Sequence, residues 1–265
     1  MPFAILGFVI AICNNGSFDY MLLLYVLLCM VFARNAAMGF NRYLDRNIDS
    51  KNARTAKREI PSGIISGKRA LAFVIVNSIL FCATTLLINT LVFYLSFVAL
   101  FVVLGYSYTK RFTYLCHYVL GLGLGLAPVG SYLTVNPVFD LIPVLLGFAV
   151  ATWVAGFDII YALQDAEFDR DNNLYSVPAR FGAKKALTIS QISHLVSVLI
   201  IWLSAYFSET GILFYIGAIV YTALIIYQHS IVKYNDFSRI NVAFFTTNGV
   251  VSILFSILAI SAYLL

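Results

Sequence analysis

Eight apolar runs, near 20–40, 69–89, 91–109, 113–133, 138–160, 184–207, 210–232 and 241–265, dominate this chain of 265 residues. Each is close to the ~20 residues a helix needs to cross a hydrocarbon core of ~30 Å. A ninth apolar piece, 2–13, precedes them. As a helix it spans only roughly 18 Å. It lacks the basic start and small-residue cleavage site of a signal peptide, so it reads as the second half of a span whose beginning is missing. Only 11% of residues are charged and the mean hydropathy is +0.90, which excludes a water-soluble globule, a disordered tail and a nucleic-acid-binding module. The expected fold class is therefore an all-α multi-pass membrane protein, one intramembrane domain over 1–265.

The basic residues fix an expected orientation. Segments 14–19, 88–91, 131–138, 206–210 and the C-terminus contain no Lys or Arg. All 17 basic residues fall in the alternate loops and the helix ends that feed them. Such one-sidedness is the positive-inside pattern. It predicts nine transmembrane helices, the first truncated, with the N-terminus inside and the C-terminus outside.

Nine of the 12 acids share that side, which the rule does not require. Glu59 and Asp236 read as solvated loop charge, and so do Glu167 and Asp171. Two groups have helical spacing instead. Asn41, Asp45 and Asp49 recur every four residues as the second span leaves the membrane. They occupy an arc of roughly 80°, with Arg34 on the same face two turns deeper. Asp158, Asp165 and Asp169 fall within roughly 40° on a continuous helix. The clusters lie 120 residues, or four spans, apart, which suggests a weak four-helix parallel repeat.

Carboxylates converging at one mouth repel each other unless a cation intervenes. Oxygen ligands suit Mg²⁺, which prefers one or two carboxylates plus substrate phosphates. Arg42, Arg46, Arg54, Arg58, Lys110 and Arg180 lie on the same side and suit a polyanion such as diphosphate. Metal and basic residues beside a membrane-embedded cavity imply an amphiphile with a diphosphate head and an apolar tail.

At these stretches the sequence resembles the UbiA superfamily of intramembrane aromatic prenyltransferases. Its first motif appears as Asn41, Asp45, Asp49, Arg54, Thr55, Pro61, Ser62 and Gly63. The second matches at Asp158, Asp165 and Asp169, followed by the run YSVPARFG, and a Tyr-x-x-x-Lys element matches Tyr106 and Lys110. The pattern is most similar to 4-hydroxybenzoate polyprenyltransferases and their relatives in menaquinone synthesis. Two features depart from the family. The first-helix element before Pro2-Phe3-Ala4 is missing, and Arg58-Glu59-Ile60-Pro61 replaces the usual Arg-Pro-Leu-Pro.

The resemblance implies transfer of a prenyl group from a polyprenyl diphosphate to an aromatic acid acceptor, 4-hydroxybenzoate or a related quinone precursor. It implies ubiquinone or menaquinone biosynthesis in a bacterial cytoplasmic membrane, with 41–68 and 161–183 as cytoplasmic active-site loops. Asn41, Asp45, Asp49, Asp165 and Asp169 are the expected Mg²⁺ ligands. Lys110, helped by Arg54 or Arg58, is expected to clamp phosphate oxygens; Asp158 and Arg180 are expected at the substrate. Tyr106 lies one turn before Lys110, within reach of phosphate or of an allylic cation. Arg34 is assigned to the acceptor's carboxylate or a diphosphate oxygen.

Other features have plainer readings. The run GLGLGLAPVG (121–130) sits inside a span and suits close helix packing rather than nucleotide binding. His117, His194 and His229 are isolated in sequence, His117 being the least so because it follows Lys110 by seven residues. Cys13, Cys29, Cys82 and Cys116 lie in apolar stretches without paired spacing, as small hydrophobes do. The rival classes are a carboxylate-based transporter and a non-catalytic quinone- or lipid-binding protein. A transporter needs two-sided access to a midplane site, whereas these acids gather at one face; a scaffold has no need of the Asn-x-x-x-Asp-x-x-x-Asp spacing.

Overall fold

The computed structural model describes residues 1–15 and 17–265, and among them the regular structure is helical apart from one isolated bridge between Lys233 and Asp236. The helices are α1 (Pro2–Asn15), α2 (Tyr20–Asp49), α3 (Gly67–Leu86), α4 (Thr90–Thr109) and α5 (Cys116–Val135). They continue with α6 (Leu141–Ala162), α7 (Ala166–Asp171), α8 (Val177–Ser208), α9 (Ile212–Ile231) and α10 (Asn248–Leu264). Among the described residues eight helical stretches are long and apolar enough to cross a bilayer, and α1 is a shorter apolar helix beside them. This is an all-α multi-pass membrane protein.

Turn chemistry starts the helices. The side chains of Asp19, Ser66, Asn89, Asp140 and Ser176 each accept a backbone N–H from the first turn of the helix that follows. The long hydrophobic side chains then face outward. Phe97 and Phe101 on α4, Ile219 and Ile226 on α9, and Ile253 and Ile257 on α10 are all exposed, as lipid-facing positions should be. The interior is packed with Tyr132, Leu146, Ile201, Phe214, Tyr221 and Phe255. Short as it is, α1 belongs to this interior: Leu6, Ile10 and Ala11 are buried, and the Phe3 ring lies 5.7 Å from Trp153 and 5.5 Å from Phe255.

Helices α5 and α6 pack backbone against backbone. A Cβ built on Gly121 would stand 2.1 Å from the Ala151 carbonyl oxygen, and one on Gly125 would stand 2.4 Å from that of Gly147. Gly121 and Gly125 of the glycine run therefore serve backbone-to-backbone packing, as their place inside a span predicts, while Gly123 faces the Val103 side chain. Helices α5 and α6 supply adjacent residues to the site described below, among them His117 and Asp158.

Three helices depart from the apolar runs. The polar Asn41–Asp45–Asp49 face prolongs α2 well past residue 40, to Asp49. Helix α8 begins at Val177 and bends at Gly182, whose φ of 78° suits a residue without Cβ. The last span opens with a π-helical turn, Val242–Thr247, where Gln228 Nε2 donates to the Ala243 carbonyl (2.7 Å) and to Asn248 Oδ1 (3.0 Å).

Candidate active site

The acidic face of α2 and the acidic segment after α6 end at the same mouth of the bundle. Both line one cleft of about 240 Å³, closed by the 50–66 loop, the end of α4 and the first turn of α5. Asn41, Asp45 and Asp49 from α2 meet Asp158, Asp165 and Asp169 there. The second cluster is not on one continuous helix as its spacing predicts. Leu163–Asp165 form a 3₁₀ turn and α7 restarts at Ala166, so Asp165 sits at a break between two helical segments. The turn aims Asp165 back toward the 50–66 loop, where Arg54 and Asn52 meet it.

Each half of the cleft is charge-compensated. Asp45 is buried at 2% exposure and accepts from Lys110 Nζ at 2.9 Å, Arg111 Nη2 at 3.1 Å and Asn41 Nδ2 at 3.1 Å. Asp49, also buried, accepts from Arg58 Nη1 at 2.8 Å. Thr55 holds that loop in place through its hydroxyl, which donates to the Asp49 carbonyl at 3.0 Å. Asp165 takes a two-pronged bond from Arg54, with Nε at 3.0 Å to Oδ1 and Nη2 on Oδ2, and a further bond from Asn52 Nδ2 at 3.1 Å. Burial opposes the Arg54 cation, but the hydrogen bond and charge of Asp165, with Tyr161, raise its pKa above the ordinary guanidinium value. Its remaining prong, Nη1, donates to the Tyr161 hydroxyl at 3.1 Å, and the Tyr161 ring stacks on Phe244 with centroids 4.0 Å apart.

One further acid is held differently. Asp158 Oδ2 lies 2.7 Å from His117 Nδ1, and the Val177 backbone N–H donates to His117 Nε2 at 3.2 Å. His194 Nδ1 lies 2.7 Å from His229 Nε2, with the Trp153 carbonyl 3.1 Å from His194 Nε2. None of the three histidines is isolated in space, contrary to their scatter in sequence. Their partners lie 41 and 35 residues away, beyond any local signal.

Of the residues singled out by sequence, Asn41, Asp45, Asp49, Arg54, Arg58, Tyr106, Lys110, Asp158, Asp165 and Asp169 all line the cleft. Arg34, Arg42, Arg46 and Arg180 do not: Arg34 and Arg180 are exposed, Arg34 Nε donates to Met38 Sδ at 3.4 Å, Arg42 to Glu59 at 2.7 Å and Arg46 to the Tyr43 carbonyl at 2.6 Å. Arg34 precedes Asn41 by seven residues, about 10 Å of helix, which its side chain does not bridge. Sequence reasoning passed over Arg111, Asn52, Tyr161 and Ser176. Only Arg111 carried a signal, as the immediate neighbour of Lys110.

The donor set is made of hard oxygens, which suits Mg²⁺ or a similar cation. Among the described residues no three acidic, histidine or cysteine side chains converge into a preformed metal cage. Carboxylates spread along two walls, with guanidinium and ammonium groups between them, fit a cation that arrives with a phosphorylated ligand and shares its oxygens.

Comparison with known proteins agrees with this geometry. The model of the UbiA prenyltransferase family matches residues 1–250. A 4-hydroxybenzoate octaprenyltransferase of Aliivibrio fischeri (strain MJ11) is 31% identical over 251 residues, covering 95% of this chain and 86% of that protein. A UbiA homolog from Aeropyrum pernix K1, solved in its apo form, superposes with a TM-score of 0.88 at 29% identity, over 98% of this chain and 96% of that one. A UbiA homolog from Archaeoglobus fulgidus bound to GPP and Mg²⁺ shares the fold with a TM-score of 0.72 at 20% identity, over 100% of this chain and 97% of that one. The chain belongs to the UbiA prenyltransferase family and is a membrane-embedded prenyltransferase.

Proposed function

We propose that this enzyme transfers a prenyl group from a polyprenyl diphosphate to 4-hydroxybenzoate or a closely related aromatic acid, with Mg²⁺, in quinone biosynthesis. The whole chain works as one unit, with 41–68 and 161–183 as its active-site loops facing the cytoplasm from the bacterial inner membrane. One observation carries the reading: Asp45 and Asp49 from α2 and Asp165 and Asp169 from beyond α6 line a single cleft with Lys110, Arg54 and Arg58. The name of the Aliivibrio relative and the GPP and Mg²⁺ bound to the Archaeoglobus homologue support it.

Mg²⁺ held by Asn41, Asp45, Asp49, Asp165 and Asp169 would neutralise the diphosphate and make it a better leaving group. Lys110, Arg54 and Arg58 hold phosphate oxygens once the carboxylates they now pair with turn to the cation. Tyr106 and Tyr161 line the cleft and offer ring faces to the allylic cation left behind. The apolar span interior beyond them excludes the water that would quench it.

The reading is tested with purified enzyme, Mg²⁺, a polyprenyl diphosphate and a panel of aromatic acids. Diphosphate release that depends on the acid, with prenylated acid as product, is the expected result. Release without acid dependence, or prenyl lipid flux without chemistry, contradicts it. Chelating divalent cations should abolish turnover. Lys110→Ala and Arg58→Ala should each raise KM for the prenyl diphosphate about 10-fold or more, as loss of a charged hydrogen bond does. KM for the aromatic acid should stay near wild type.

A further inference from the structure

The proposed reaction ends with a proton to dispose of, and the carboxylates assigned to the cation are poorly suited to take it. Asp45, Asp49 and Asp165 have carboxylate oxygens taken up by arginine or lysine, and Asp169 is assigned with them to the cation. Asp158 differs. Its partner is His117, 3% exposed in the first turn of α5. The Val177 N–H is only ever a donor, so His117 Nε2 carries a lone pair and its proton sits on Nδ1, pointing at Asp158 Oδ2. Asp158 therefore accepts from an imidazole N–H rather than from an arginine or lysine. His117 engages Oδ2, and a quarter of the Asp158 side-chain surface remains accessible at the cleft wall.

Depth adds to this. Asp158 precedes Asp165 by seven residues, which places it about 10 Å further into the bundle by helix rise. A diphosphate head at the mouth with its tail running inward would put C1 below the phosphates, toward Asp158, Tyr106 and Tyr161, where an acceptor ring would meet it.

We propose that Asp158 is the general base of the transfer and that His117 is its positioning residue. This rests on the aromatic-acid reading above. The C1–O bond of the prenyl diphosphate breaks and its electron pair leaves with diphosphate. A ring carbon ortho to the acceptor's hydroxyl then bonds to C1, giving a cyclohexadienyl cation. Asp158 takes the proton from that carbon, the C–H electrons restore the aromatic ring, and the protonated carboxyl later returns its proton to water at the mouth.

The test is 4-hydroxybenzoate deuterated at both ring positions ortho to the hydroxyl, turned over by wild type, Asp158→Asn and His117→Gln. In wild type, proton loss follows a slower ionisation and no primary isotope effect is expected. Asp158→Asn should lose about 10²–10⁴-fold in kcat, the usual contribution of a general base, and what remains should show a primary isotope effect. His117→Gln keeps a donor for Asp158 but not its geometry; it should lower kcat less and show the same isotope effect, with KM for the prenyl diphosphate unchanged. Retained Mg²⁺-dependent binding of prenyl diphosphate certifies that both variants are folded. Slowed variants without an isotope effect overturn the assignment, and so does wild-type turnover in Asp158→Asn. If wild type prenylates no aromatic acid, the aromatic-acid reading falls first, and a wild-type product with isotope-blind variants refutes the base alone.

Discussion

Asp165→Asn is expected to cut kcat/KM for prenyl transfer on the order of 10²–10³-fold, the size of effect seen when one preorganised electrostatic contact is removed from a transition state. The substitution is nearly isosteric, so the loss comes from charge. Asp165 receives the Arg54 fork and Asn52, and it stands at the 3₁₀ break that turns it toward the 50–66 loop. Without its charge, the second half of the molecule contributes one fewer anionic oxygen to the cation, and the Arg54 fork loses its partner. Folding should hardly change, because Asp165 and Arg54 are partly open to solvent, with side chains 19% and 34% exposed, and such pairs contribute little. Turnover measured beside a thermal melt in detergent separates the two effects. Asp45 offers the contrast. It is buried and pairs with both Lys110 and Arg111. Asp45→Asn should lose activity and destabilise the protein by about 1–3 kcal/mol, because a buried carboxylate that accepts from Lys110, Arg111 and Asn41 loses its charge.

Gly125→Leu is expected to disrupt folding and turnover together. The Gly147 carbonyl oxygen lies 2.4 Å from where its Cβ would be, and backbone cannot step aside as a flexible side chain can. Helices α5 and α6 must separate along a contact that also holds Gly121 against Ala151. Overpacking of this kind costs about 1–3 kcal/mol, occasionally more. Because α5 carries His117 and α6 carries Asp158, separation also pulls apart their 2.7 Å contact. Loss of a cooperative melt in detergent, with loss of turnover, is the expected outcome. Gly130→Ala, in the same helix with no atom within 4 Å of its Cβ, should melt as wild type does.

Much of this architecture was legible before any coordinate. Apolar run length predicts the spans and the glycine run predicts a close helix pair, because both follow from one-dimensional spacing. Asn41, Asp45 and Asp49 were readable for the same reason: α2 stays helical through all three. The spacing of Asp158, Asp165 and Asp169 picked out residues that share a cleft, but on the wrong backbone. Seven residues nearly complete two turns of a helix, and nothing in the local sequence announces the 3₁₀ break at Leu163–Asp165. Partners were the least legible. Arg111 meets Asp45 across 66 residues and His117 meets Asp158 across 41, pairings that only tertiary packing creates. Arg34 shows the converse case. Sharing a helix face with Asn41 gave it direction but not reach, and the structure leaves it exposed outside the cleft.

The account depends on two separate walls gripping one ligand headgroup, and a double-mutant cycle on binding tests that most directly. The affinity of a non-reactive polyprenyl diphosphate analogue is measured with Mg²⁺ for wild type, Asp49→Asn, Asp165→Asn and the double variant. If both carboxylates act through a shared cation–diphosphate cluster, each single change weakens binding and the double change costs clearly less than their sum. Losses that add to within about 0.5 kcal/mol, the mark of independent sites, would show that the two acidic walls do not hold a common headgroup.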